Sequence, residues 1–203
     1  MSVEINKLFM VELKDCPFEI MQREWEVNKL IDEAWAHNAE GEPTDLIENI
    51  LEIGSMYGGS LWCWKEGFST LEKMVSIDNL IPESDGRYQS VLEAREKWSE
   101  VFKEVKEFIP IIADSQAQET IERVKEEFPN GIDFLFIDGD HSYQACLNDY
   151  FNYLPLMRKN GIIAIHDIER ECKDAWQEIK KGSKCAEFTL DNNGGMGIGI
   201  IYT

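Results

Sequence analysis

Ile50-Leu51-Glu52-Ile53-Gly54-Ser55-Met56-Tyr57-Gly58-Gly59-Ser60 is the stretch on which the chain turns. Ile50, Leu51 and Ile53 read as the end of a buried strand, Gly54, Gly58 and Gly59 as a tight turn, and Ser60-Leu61-Trp62-Cys63-Trp64 as the opening of a helix. Such a passage leaves backbone N–H groups unpaired at the helix start. With the positive end of the helix dipole, they favour a ligand carrying carboxylate or phosphate. Glycine lets that ligand come close to the backbone, and Glu52 is expected to add a carboxylate facing the same crevice. The spacing Gly54-x-x-x-Gly58-Gly59 is not the dinucleotide G-x-G-x-x-G, and Gly59-Ser60-Leu61 lacks the Lys that closes a phosphate loop. Alone, the stretch is equally a plain strand-to-helix turn. The rest of the chain has to decide.

Four further apolar runs ending in polar residues follow: Met74-Val75-Ser76-Ile77-Asp78, Ile109-Pro110-Ile111-Ile112-Ala113-Asp114-Ser115, Ile132-Asp133-Phe134-Leu135-Phe136-Ile137-Asp138 and Ile162-Ile163-Ala164-Ile165-His166-Asp167. Between them the sequence predicts helices to about residue 69, over 86–108, 118–128 and 143–157, and over 171–181. Lys159-Asn160-Gly161 carries the residues that suit a helix C-cap. The tail reads as a hairpin: Phe188-Thr189-Leu190, the turn Asn192-Asn193-Gly194-Gly195, and 198–202. Ahead of the glycine turn, Ile20, Met21, Trp25, Leu30, Ile31, Ala34 and Trp35 share one helical face, followed by a loop at 39–44. This leader is expected to pack on the core rather than roof a pocket.

The alternation predicts an α/β fold, with a mostly parallel sheet covered by helices on both faces. In such sheets ligands sit beyond the carboxyl ends of the strands, where strand order reverses. Glu52, Asp78, Asp114, Asp138, His166 and Asp167 all fall at strand ends. At 203 residues the chain suits one domain, and 43% hydrophobic with 29% charged residues is a globular composition. The 39 acidic against 20 basic residues give a net charge of −19, which disfavours nucleic acid and membrane as partners. Five widely spaced cysteines without a C-x-x-C point to free thiols in a reducing compartment. With no signal pattern or membrane-length apolar run, a cytoplasmic location is expected.

Glu52-Ile53-Gly54 with Gly58-Gly59-Ser60, the acid at Asp78, Asp138-Gly139-Asp140-His141-Ser142-Tyr143 and Ile165-His166-Asp167-Ile168, in that order, resemble the class I S-adenosylmethionine-dependent methyltransferases. Within them the likeness is to the branch of sugar O-methyltransferases and cephalosporin-hydroxylase-like proteins. The resemblance implies a Rossmann-like, doubly wound seven-stranded sheet with an antiparallel last strand over 47–203, preceded by a helical leader over 1–46. It implies that Gly54, Ser55, Met56 and Gly58 lie along the methionine part of S-adenosylmethionine. Glu52 is assigned to the same cofactor, Asp78 with Asn79 to the ribose, Asp114 and Ser115 to the adenine, and Asp138 to both cofactor and chemistry. For Ser115 a simple helix cap is an equal alternative.

Methyl transfer to a hydroxyl requires that the hydroxyl shed its proton. Asp138, Asp140 and His141 are the catalytic candidates, with Asp140 or His141 as base. In the sugar-methylating relatives a divalent cation such as Mg2+ does this work instead, and the matching positions here are Asp138, His166 and Asp167. His166 stands where a second acid is usual, and imidazole is a softer ligand. His141 reads equally as an ordinary helix-start residue, and His166 as one that only positions a neighbour. Trp62, Trp64 and Tyr143 are candidates for the acceptor side but suit the core as well, and His37 reads as a surface residue. The expected partner is a small-molecule acceptor, with a homo-oligomer left open. Two other functions stay in view: a non-methylating binding or hydroxylase-like protein of the same fold, and a glycosyltransferase using Asp138-Gly139-Asp140 as a metal-diphosphate motif.

Overall fold

A computed structural model describes residues 10–40, 46–80, 86–189 and 196–203. Helix α1 (Glu24–Glu40) leads into β1 (Asn49–Ile53), which passes through the glycine turn into α2 (Gly59–Gly67). Then come β2 (Lys73–Asp78), α3 (Tyr88–Arg95), α4 (Trp98–Val101), β3 (Glu107–Ile112), α5 (Gln118–Glu127), β4 (Ile132–Ile137) and α6 (Tyr143–Tyr153). The chain closes with β5 (Met157–His166), α7 (Lys173–Ile179), β6 (Cys185–Phe188) and β7 (Ile198–Tyr202). One seven-stranded sheet holds them in the order β3-β2-β1-β4-β5-β7-β6. The pairs among β1 to β5 are parallel, and β7 runs antiparallel to β5 and β6. Strand order reverses between β1 and β4, so the crevice predicted for ligands opens where the glycine turn meets Asp138.

The central strands are apolar on both faces because both faces are covered. On one side Ile50, Phe134, Phe136 and Ala164 pack with Val27, Leu30, Ile31 and Ala34 of α1 and Leu61 and Trp64 of α2. Those four α1 positions follow the i, i+3, i+4, i+7 spacing of a helix that buries one stripe. Trp64 lies 5.2 Å from Phe134 and 5.1 Å from Phe136, ring centre to ring centre. On the other side Leu51, Val75, Leu135 and Ile163 pack with Tyr150, Tyr153 and Trp176. Asp133, buried inside β4, is held by the N–H groups of Glu48 and Asn49, each at 2.9 Å, and by Arg158.

Three expectations are corrected. The single helix over 86–108 is two short helices, α3 and α4, and Phe108 belongs to β3. The helical stripe was read too far because Trp98, Phe102 and Phe108 pack together, with Phe102 and Phe108 rings 4.5 Å apart. Next, α6 stops at Tyr153, and Lys159-Asn160-Gly161 lies inside β5. Asn160 takes a φ of 64° where the register between β4 and β5 shifts, so the residues of a C-cap serve a strand irregularity instead. Finally, β5 therefore begins at Met157 rather than Ile162. In the tail, β7 pairs antiparallel with a strand that ends at Phe188 where it was expected to begin, and the Asn192–Gly195 turn and Leu190 lie outside the described residues, as does most of the predicted 39–44 loop. Among the described residues no helix is long and apolar enough to cross a membrane.

Candidate active site

Beyond the carboxyl ends of the strands lies a cleft of about 1280 Å³. Its floor is the glycine turn. Gly54 has a φ of 89°, and a Cβ there would stand 2.1 Å from the Asp138 carbonyl oxygen. Side-chain carbons are therefore excluded by the close approach of β1 and β4, before any ligand is considered. Gly58 abuts Trp98 in the same way, a Cβ falling 2.5 Å from the indole nitrogen, and Gly59 abuts the leader, 2.6 Å from the Glu19 carbonyl oxygen. The expectation that Gly58 lies along a ligand is corrected: it does not line the cleft.

Asp78, at the tip of β2, holds the turn. Its Oδ2 accepts from the Met56 N–H at 2.7 Å and its Oδ1 from the Leu80 N–H at 2.8 Å. Arg95 pairs with Oδ2 at 2.9 Å, donates to the Met56 carbonyl at 2.9 Å, and lies over the Trp98 ring. Met56 itself sits at a φ of 40°, a conformation that costs energy outside glycine and persists only when its surroundings impose it.

Glu52 does not face the crevice, which corrects the second expectation for this turn. It is fully buried beneath α2, where Ser60 Oγ donates at 2.8 Å and Trp64 Nε1 at 2.6 Å. Burial, only partly offset by these donors, pushes its pKa up to about 8. The folded chain thus holds a proton that the unfolded chain releases above about 4.5. Stability from this group is present below that value and is lost as pH rises through about 8, at roughly 1.4 kcal/mol per unit. In Glu52→Gln, which keeps an acceptor for Trp64 and no charge, urea denaturation is expected to lose that slope. An unchanged slope would show that the proton sits elsewhere.

Opposite the turn, β4 and β5 deliver a cluster of carboxylates and imidazoles. Asp138 accepts from Gln22 Nε2 at 2.5 Å on Oδ2, and its Oδ1 lies 3.2 Å from His141 Nε2 and 3.1 Å from His166 Nδ1. His141 Nδ1 is 3.1 Å from Asp167 Oδ2. Asp167 has a φ of 60°, a third strained residue in the same cleft after Met56 and Leu80. Ligand atoms of Asp138, His141 and Asp167 lie within 4.8 Å of one another. The predicted set is corrected in one member: His141 stands where His166 was expected. His166 is instead 2% exposed, wedged between Asp138 and Glu26, whose Oε2 is 3.7 Å from Nε2.

The charges explain one another. Burial alone would lower the His166 pKa, but Asp138, Asp167 and Glu26 outweigh it and drive it up to about 12. Burial would raise Asp138, yet His166 and His141 hold it below the usual carboxylate range. The bond to Asp138 lifts His141 to about 9 against its partial burial. Glu26 is kept low, despite burial, by His166 and by the N–H groups of Arg23 and Gly197 at 3.0 and 3.2 Å.

Gly54, Ser55, Met56, Asp78, Asn79, Asp114, Ser115, Asp138, Asp140, His141, His166 and Asp167 all line the cleft. Ser115 is not a helix cap; its hydroxyl donates to Asp149 at 2.7 Å. Asp140 is exposed at the rim, accepting the Ser142 N–H at 2.8 Å, and does not join the Asp138 cluster. Trp62 and Trp64 are core, whereas Tyr143 stands at the rim with its hydroxyl on Glu178. His37 is no free surface residue, since its ring lies 4.6 Å from that of Tyr202. Sequence reasoning missed Gln22 and Glu26 altogether. The leader lines the cleft through Glu19, Ile20, Met21 and Gln22, contrary to the expectation that it only packs on the core. A polar residue at 22 and an acid on the inner face of α1 were the available signals.

A family of methyltransferase domains matches residues 51–168, which include the glycine turn and both halves of the cluster. An uncharacterized protein of Acanthamoeba polyphaga mimivirus is 31% identical over 119 residues, 59% of this chain and 51% of that protein. The chain thus spans about half the length of the curated relative it matches. Two solved structures share the fold. CalS11, a TDP-rhamnose 3'-O-methyltransferase of calicheamicin biosynthesis, has a TM-score of 0.55 at 18% identity, covering 86% of this chain and 77% of its own. The mycinamycin-pathway methyltransferase MycE, solved with Mg and SAH, has a TM-score of 0.51 at 15% identity, covering 87% of this chain and 54% of its own.

Proposed function

The chain belongs to the family of methyltransferase domains matched over residues 51–168, and on that premise we propose that it transfers the methyl group of S-adenosylmethionine to a hydroxyl of a small, sugar-like acceptor. The observation that carries this reading is that Asp138, His141 and Asp167 converge across one cleft from the glycine turn and Asp78. The cofactor is a net cation. Apart from Arg87 and the two histidines, the ionisable residues of the cleft wall are acids, which suits it. S-adenosylmethionine supplies an electrophilic methyl: the S–CH3 bond breaks, the O–CH3 bond forms, and the hydroxyl proton must leave.

The two groups of the cluster nearest that proton are poor bases for it. His141, raised to about 9, already carries a proton at neutral pH, and Asp138 is held low by two imidazoles. A weakly basic carboxylate and a protonated imidazole are poor acceptors for a hydroxyl proton. Two carboxylates and an imidazole are, however, a fitting donor set for a divalent cation, with imidazole favouring metals softer than Mg2+. Asp138, His141 and Asp167 would hold it, and it would lower the pKa of the acceptor hydroxyl. His166, already paired with Asp138, would keep the buried charges balanced.

Cation uptake must then expel the His141 proton. Affinity for Mg2+ is expected to rise about tenfold per pH unit up to about pH 9. Calorimetry in buffers of different ionisation enthalpy should report close to one proton released at pH 7. Binding without proton release would remove His141 from the ligand set.

Asp138-Gly139-Asp140 lends no support to a glycosyltransferase, because Asp140 is turned to the Ser142 N–H. The decisive experiment pairs calorimetry of S-adenosylhomocysteine with turnover of S-adenosylmethionine on a panel of hydroxylated acceptors. Absence of binding by the folded protein would defeat the proposal, and binding without turnover would favour a non-methylating relative. The acidic surface argues against nucleic-acid partners, and five free cysteines suit a reducing compartment such as the cytoplasm.

A further inference from the structure

Gln22 precedes α1 in a segment that has no helical or strand structure of its own. It is nonetheless only 7% exposed, and it lines the cleft. Its Nε2 donates to Asp138 Oδ2 at 2.5 Å, across 116 positions of sequence. A carboxylate only accepts, so the amide must present its NH2 end there. Asp138 is thereby divided: Oδ2 belongs to Gln22, while Oδ1 faces His141 and His166. A carboxylate bonded on one oxygen can still turn about its last torsion, whereas one bonded on both is fixed.

The segment that carries Gln22 is itself clamped at both ends. Upstream, its backbone is pressed onto the first residue of α2: a Cβ on Gly59 would meet the Glu19 oxygen at 2.6 Å and the Ile20 Cα at 2.9 Å. Downstream, Glu26 accepts from the Gly197 N–H at 3.2 Å and pairs with His166. Gln22 is thus held between two anchored points, with its donor aimed at the carboxylate that both histidines of the cluster share.

We propose that Gln22 is a positioning residue for methyl transfer: by holding Asp138 Oδ2 it orients the carboxylate toward the cation held with His141 and Asp167. This rests on the cation reading above. A residue that merely filled space would be replaceable by any side chain of equal length, and every replacement that disturbed packing would act in the same direction. A positioning donor predicts that affinity follows the N–H and not the bulk of the replacement. Gln22→Met keeps length and removes the donor, so Asp138 is released and Mn2+ affinity falls about tenfold, as for other residues that orient metal ligands. Gln22→His, whose ring N–H reaches about as far, keeps a donor for Asp138, so Mn2+ affinity stays within about threefold of the unaltered protein.

The test is Mn2+ titration followed by electron paramagnetic resonance, with saturating S-adenosylhomocysteine, on the full chain and both variants. S-adenosylhomocysteine affinity is expected to stay within about twofold throughout, since Gln22 does not touch Asp78 or the turn. Weakening in Gln22→Met with near-parental affinity in Gln22→His supports the assignment. Equal Mn2+ affinity in all three proteins, or weakening in both variants alike, overturns it. Failure of the unaltered protein to take up Mn2+ overturns the cation reading itself, and this inference with it. If Gln22→Met does not fold, Gln22→Ala, equally without a donor, takes its place beside Gln22→His.

Discussion

Asp78→Ala is expected to lower affinity for S-adenosylhomocysteine by a factor of about 100 or more, the largest effect on binding of any single substitution in the cleft. Asp78 spends one carboxylate oxygen on the Met56 N–H of the glycine turn and the other on the Leu80 N–H of its own loop, and pairs with Arg95 as well. Hydrogen bonds to a charged acceptor are worth about 1.5–3 kcal/mol each. Losing two of them releases Met56 and Leu80 from their positive φ and lets the glycine turn and the loop after β2 relax away from the shape they present to a ligand. At 1.4 kcal/mol per tenfold, that loss spans about two decades of affinity or more. Asp78→Asn is the sharper control. An amide can offer its oxygen to one N–H only, and its NH2 then confronts the other donor, so Asn is expected to fail nearly as badly as Ala. Calorimetry with S-adenosylhomocysteine reads both. Retained affinity in Asp78→Asn would mean that the charge and both acceptors are dispensable, and the assignment of this strand tip to the cofactor would fall.

His166→Ala is expected to cost about 3–5 kcal/mol of folding stability, the magnitude seen when one partner is removed from a buried ion pair. His166 is the cation between Glu26 and Asp138, both of which remain in the variant with no replacement for it. In the intact protein its pKa of about 12 lies far above the free value of 6.5. Its stabilising share is therefore full below about 6.5 and fades as pH rises through about 12. In the variant the abandoned carboxylates must take up protons, so acidification should narrow the gap to the intact protein. Urea denaturation at neutral pH and near pH 5 measures both quantities. A variant as stable as its parent at neutral pH would show that the Glu26–His166–Asp138 row carries no net buried charge.

Both predictions fall on residues that the sequence singled out, yet each acts through contacts it could not reveal. Asp78 was legible because an apolar run ending in an acid, a fixed distance beyond a glycine turn, can only be a strand tip on the same edge of a parallel sheet. His166 was legible as a strand-end residue but not as the inner member of a row. The chain position that completes the row, Glu26, lies on a helix whose pattern speaks only of packing. Glu52 failed for a related reason. Alternation along β1 says that it points away from Leu51 and Ile53, and only the seating of α2 says that this side is closed.

By itself the sequence determined the succession of strands and helices, the polar residues at the strand tips, and the glycine turn at the point of reversal. These follow from hydrophobic periodicity and backbone freedom, which act between neighbours along the chain. Tertiary structure alone decided that Gly54, Gly58 and Gly59 answer to Asp138, Trp98 and the leader before any ligand, and that His141 completes the candidate set with Asp138 and Asp167 while His166 is taken up between Asp138 and Glu26. It alone brought Gln22 onto Asp138. Such contacts depend on how distant segments close on one another. Their geometry is set by the packing of whole elements, and no local pattern of residues carries it.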